Sequence, residues 1–103
     1  MKKKMVMFLL LIGLMVTPAF AASQEIPILM YHKIGTNPNG STLIVTPERF
    51  RKDMQVLKEH GYTALLTEDL IAIANGSQEM PDKPIMITFD DGYRDNYDYA
   101  YPI

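Results

Sequence analysis

Pro84-Ile85-Met86-Ile87-Thr88-Phe89 runs directly into Asp90-Asp91-Gly92-Tyr93, and this stretch constrains the chain more than any other. A short apolar run led in by proline reads as a buried strand. Such a strand is covered on both faces, so its polar groups belong at its ends. Asp90 and Asp91 stand at the carboxyl end, where open α/β sheets and α/β barrels place their chemistry. Two neighbouring carboxylates there are costly unless a cation, a proton or hydrogen bonds compensate them.

On the residues alone, two readings compete. Adjacent residues of an extended segment point in opposite directions, but a bend at Gly92 can turn both carboxylates into one cavity. One would then ligate a cation while the other acts as a base toward metal-bound water. Asp-Gly is also an ordinary turn pair. A calcium loop of the EF-hand kind fits less well, because acids at alternate positions before the glycine are missing.

The amino end has the layout of a secretory signal. Lys2, Lys3 and Lys4 precede the uncharged run Met5 to Val16, Pro18 breaks it, and Ala19-Phe20-Ala21 supplies small residues for cleavage after Ala21. The apolar run is short for a membrane span of about 20 residues. An uncleaved anchor or a buried helix are the other readings. With no Cys there is no residue to acylate and no disulfide. Removal of residues 1–21 takes away three of the 10 basic residues and none of the 12 acidic ones, so the formal charge moves from −2 to −5. That balance gives no electrostatic footprint for nucleic acid. Residues 22–103 suffice for one small domain with a modest core, stabilised by packing, alone or with a metal.

Along the chain, Glu25 to Tyr31 reads as a first strand, with His32 and Lys33 at its carboxyl end. Gly35 to Ser41 reads as a loop, rich in Asn-Pro and Asn-Gly turn signals. Thr46-Pro47-Glu48 starts a helix by capping, ring geometry and dipole. Phe50, Met54, Val56 and Leu57 mark its apolar face. His60 serves as a helix-end cation, and Gly61 ends the helix in the left-handed conformation. Tyr62 to Leu66 is a second strand, Thr67 caps a short helix to Ala74, and Asn75-Gly76 closes it. Ser77 to Lys83 connects to the Asp strand, and a further helix starts near Asp95 or Asn96. Strand, helix, strand, helix, strand argues for parallel strands in an α/β architecture. Three strands and two helices rarely close a core, so the chain reads as the front part of a longer domain. As 103 residues it is expected to be marginally stable, with an exposed sheet edge. Tyr93 and Arg94 suit packing and a helix start, and the alternating Tyr97, Tyr99 and Tyr101 suit neither a helix face nor a binding stripe.

Ile87-Thr88-Phe89-Asp90-Asp91-Gly92-Tyr93 resembles the first motif of the polysaccharide deacetylases, the nodulation-protein-B-like carbohydrate esterases. Pro27-Ile28-Leu29-Met30-Tyr31-His32-Lys33-Ile34, Thr46-Pro47-Glu48-Arg49-Phe50, Leu57 and Gly61-Tyr62 resemble the branch that includes poly-N-acetylglucosamine deacetylases. The resemblance covers nearly all of residues 25–103. It implies the amino-terminal part of a distorted (β/α) barrel, truncated here. It implies an exported, metal-dependent hydrolase that removes acetyl groups from N-acetylated, sometimes O-acetylated, glycans. Asp90 would be the general base and Asp91 a ligand of a divalent metal, usually zinc. Metal-bound water would attack the acetamide carbonyl, with the metal helping to stabilise the oxyanion.

The departures bear on activity. The family completes its metal site with an H-[ST]-x-x-H motif after the first motif, whereas the two histidines of this chain, His32 and His60, lie before it and far apart. The family's acid His, the Arg partner of the base and the segment shaping the acetyl pocket also belong to later motifs. One carboxylate does not make a zinc site of three protein ligands and water. Little or no activity is therefore expected of these 103 residues. His32, at the end of a strand parallel to the Asp strand, reads either as a substrate contact beside the pair or as a structural His bonding a loop. The partner expected is an N-acetylated polysaccharide, and a membrane is touched only through the signal or an uncleaved anchor. The product is expected to be secreted or cell-envelope associated. Against the enzyme stands a truncated or degenerate, non-catalytic carbohydrate-associated protein. A further reading is another α/β hydrolase or phosphotransferase that uses an Asp pair.

Overall fold

The computed structural model describes residues 24–103, so the expected signal at residues 1–21 lies outside the described residues. Among the described residues no helix is long and apolar enough to cross a membrane. The elements in order are β1 (Ile28–Tyr31), β2 (Lys33–Ile34), β3 (Ile44–Val45), α1 (Pro47–Glu59), β4 (Thr63–Ala64), α2 (Thr67–Ala74), β5 (Pro84–Phe89) and a π-helical turn (Asn96–Ala100).

Helix α1 forms as its sequence dictates. Thr46 Oγ1 accepts from the Arg49 amide at 3.2 Å, and Pro47 opens the first turn. At the far end the Tyr62 amide donates to the Leu57 carbonyl at 3.0 Å and the Gly61 amide to the Lys58 carbonyl at 3.1 Å. With Gly61 at φ +77°, this is a Schellman cap. His60 Nδ1 donates to the Val56 carbonyl at 2.8 Å, so its ring closes a helix carbonyl as well as standing at the dipole's negative end. Phe50 is buried and Met54 and Leu57 half-buried, but Val56 is exposed and lies off the apolar face. Helix α2 corrects the expected cap. Thr67 is already helical, and the Asp69 carboxylate reaches back to accept from the Leu66 amide at 2.7 Å.

Strand β5, last in sequence, lies between β1 and β4, and both pairings are parallel. Ile28 stands opposite Met86 and Tyr31 opposite Phe89, while Thr63 stands opposite Pro84. The expected parallel α/β arrangement is therefore present. Pro84 and Ile85 are buried and the rest of β5 is half-buried, so cover over its carboxyl half is partial among the described residues. The stretch read as one loop is bounded by a second parallel pair, β2 with β3, and the Asn39-Gly40 turn sits between them with both residues at positive φ.

The core lies at the carboxyl end of β1 and β5. Ile34, Phe50 and Ala100 are buried together, with Tyr31, Val45, Met54, Phe89 and Ile103 packed around them. Tyr31, Phe50 and Phe89 form a ring trio with centroids 5.0 to 5.7 Å apart, which joins β1, α1 and β5. Tyr31 also donates its hydroxyl to Asp53 Oδ2 at 3.1 Å, while Arg49 Nε donates to Asp53 Oδ1 at 2.8 Å. Burial, then the hydrogen bond and the charge of Asp53, push the Tyr31 phenol up from 10.0 to about 12.

The folded state favours the neutral phenol. Its stabilising share is therefore complete below the ordinary tyrosine value and is lost as pH rises from about 10 toward about 12. Urea midpoints measured across that window should fall faster in the parent than in Tyr31→Phe, and equal slopes would remove the coupling.

Candidate active site

The ring trio places the next residues of both strands side by side. Tyr31 and Phe89 are paired, so His32 and Asp90 leave the sheet level with each other. The Asp90 amide donates to the Tyr31 carbonyl at 2.9 Å, carrying the ladder one residue past β5. Asp90 is half-buried and Asp91 exposed. Asp91 has φ +70° and Gly92 φ +63°, two successive left-handed residues that turn the chain sharply off the strand. Glycine adopts that conformation freely, whereas an aspartate there is uncommon. Such strain persists where the surroundings impose it, and it gathers at functional sites.

The return of the loop is held by residues that the sequence did not mark as site residues. Asn96 Nδ2 donates to the His32 carbonyl at 2.9 Å. The Lys33 ammonium lies 4.7 Å from the centre of the Tyr93 ring, a cation–π contact across the same gap. The side-chain oxygens Asp95 Oδ1 and Asn96 Oδ1 are buried without a hydrogen-bond partner among the described residues. Only the helix start near these residues was legible beforehand. Tyr97 and Tyr101, which showed no useful period, stack at 5.6 Å on the π-helical turn and are largely exposed. His32 is half-buried, and its backbone carbonyl is what the loop grips. His60 sits apart at the end of α1.

The arrangement brings Asp90, Asp91 and His32 to one edge, the carboxyl end of a parallel strand pair. Among the described residues, no group of three His, Cys, Asp or Glu is placed to hold a metal ion. These residues therefore do not by themselves fit a zinc centre. An apolar cleft of about 490 Å³ opens beside the site between β5, α1 and the π-helical turn. It is lined by Phe50, Met54, Ile87, Phe89 and Tyr97 among others, and none of Asp90, Asp91 and His32 lines it.

No family model matches the chain. Individual proteins do. A Bacillus subtilis (strain 168) protein named as a polysaccharide deacetylase, YxkH, is 38% identical over 79 residues, which are 77% of this chain and 27% of YxkH. The poly-beta-1,6-N-acetyl-D-glucosamine N-deacetylase of Escherichia coli (strain K12) is 30% identical over 59 residues, 57% of this chain and 9% of that protein. Among solved structures, the Streptococcus pyogenes deacetylase PplD in complex with acetate superposes with a TM-score of 0.64 at 36% identity, over 75% of this chain and 36% of PplD. The chain thus spans well under half the length of each of these relatives.

If Asp91 is kept for its carboxylate and not for the turn, Asp91→Gly should relieve about 1 kcal/mol of left-handed strain. The variant should then melt no lower than the parent. A clearly lower melting temperature would mean that the carboxylate holds the fold.

Proposed function

The chain belongs in part to the polysaccharide deacetylase family, and on that premise we propose that it carries the amino-terminal portion of an exported, divalent-metal-dependent enzyme. The reaction is hydrolysis of the acetamide C–N bond of N-acetylated glycans. The observation that carries this reading is the Asp90-Asp91-Gly92 turn, left-handed at Asp91 and set at the carboxyl end of the central parallel strand. The barrel is part of the proposal too, since the described strands are parallel but form an open three-stranded sheet and a separate pair.

Asp90 suits a base. Its backbone is fixed by the Tyr31 carbonyl, and its half-buried position limits the water that would compete for a proton. In the proposed reaction Asp90 takes a proton from the water that attacks the acetyl carbonyl. The C–N bond then breaks as Asp90 returns that proton to the sugar nitrogen, leaving acetic acid, which ionises to acetate in water, and a free amine on the sugar. Asp91, exposed beyond the bend, suits a metal ligand, and zinc is the metal proposed. A zinc ion, when bound, supplies Lewis-acid polarisation. Ligands beyond the described residues are needed to hold it. His32, which leaves β1 level with Asp90, is the residue proposed to contact the sugar. The polymer is an N-acetylated polysaccharide, and the site of action is outside the cell or in its envelope.

A second reading draws on the missing three-ligand group among the described residues. In that case the chain is a non-catalytic, carbohydrate-associated protein. The two readings separate in the protein as its host produces it. Asp91→Ala should lose bound metal by elemental analysis. Asp90→Asn should retain the metal yet lose deacetylation by about 10²–10⁴-fold. Equal metal loss in both variants would contradict the division of roles.

A further inference from the structure

The two ends of the Asp loop are held by two consecutive residues of the β1 exit. At one end the Asp90 amide donates to the Tyr31 carbonyl at 2.9 Å. At the other end Asn96 Nδ2 donates to the His32 carbonyl at 2.9 Å, in a part-buried position. The left-handed pair Asp91 and Gly92 lies between these anchors. Left-handed backbone at a non-glycine residue persists only when neighbouring structure over-determines it, and a loop fixed at both ends to one rigid strand is such a structure. The Lys33–Tyr93 contact adds a third tether within the same loop. Asn96 makes this link at a cost. Its Oδ1 is buried and unpartnered among the described residues, an arrangement that selection for stability alone disfavours.

We propose that Asn96 is a positioning residue. It clamps the loop to the β1 exit, holds Asp91 in the left-handed region and so fixes where the Asp90 and Asp91 carboxylates point. The consequence for catalysis rests on the deacetylase reading above, whereas the clamp itself does not. Asparagine suits the task because a carbonyl acceptor demands a donor, and the short amide reaches it without a long flexible stem. Asp95 and the exposed tyrosines of the π-helical turn make no such link to β1.

The test compares the parent with Asn96→Ala and with Asn96→Asp, which keeps the shape but offers the His32 carbonyl no donor. A left-handed residue gives a strong intraresidue Overhauser effect between its amide and α protons. That signal at Asp91 should weaken in both variants while the fold is retained. On an N-acetylated glucosamine oligomer, kcat should fall at least tenfold with KM within about twofold. A purely structural role would instead lower the melting temperature and leave kcat per folded molecule unchanged. An Asp91 signal and a kcat that survive both substitutions would overturn the proposal. Unfolding of both variants would likewise overturn it, by assigning Asn96 to the fold. Should the parent, taken as its host produces it, lack deacetylase activity, the reading of function fails, and the Overhauser measurement alone upholds or overturns the clamp.

Discussion

The parallel pairing of β1 with β5 is the constraint on which the rest of the structure depends. Parallel neighbours cannot be joined by a tight hairpin, so the intervening chain has to travel away and return. Here it does so through α1, β4 and α2, and β5 then enters between the two strands already laid down. The entropic cost of closing so long a connection grows only slowly with length. Burial of the Tyr31, Phe50 and Phe89 rings at the carboxyl end of the pair offsets that cost. Because the rings are the last residues of β1 and β5 and an early residue of α1, the best-packed point of the fold lies immediately beneath His32 and Asp90. Packing and chemistry share one end of the sheet.

Much of this was legible in the residues. The apolar run 84–89, the Thr46-Pro47-Glu48 start and the Gly61 stop each follow from local chemistry, and each stands where it was expected. The order of strands and helices gave the parallel arrangement. Local chemistry could not reveal β2 and β3, since two-residue strands carry no periodicity. It misassigned the cap of α2 because Thr67 and Asp69 are both good capping residues, and only the backbone decides which is used. Val56 was placed on the apolar face by its type, yet the helix turns it toward solvent.

The candidate site divides in the same way. Asp90 and Asp91 announced themselves by following an apolar strand, and His32 by following another. Their grouping at one sheet edge needed only the parallel order. The left-handed conformation of Asp91, the grip of Asn96 on the His32 carbonyl and the Lys33–Tyr93 contact are products of tertiary structure. No spacing rule points to a side-chain amide that reaches a carbonyl on a strand laid down much earlier in the chain. These unannounced contacts hold the loop that carries the two adjacent acids. Among the described residues the pair has no third ligand beside it, which is why the chemistry proposed here is assigned to a larger protein spanning the length of the relatives.

The most direct measurement is acetate release from short oligomers of N-acetylglucosamine by the protein as its host produces it. One acetate is expected for each free amine formed on the sugar. A protein that binds these oligomers and releases no acetate, with or without added zinc, would contradict the deacetylase reading.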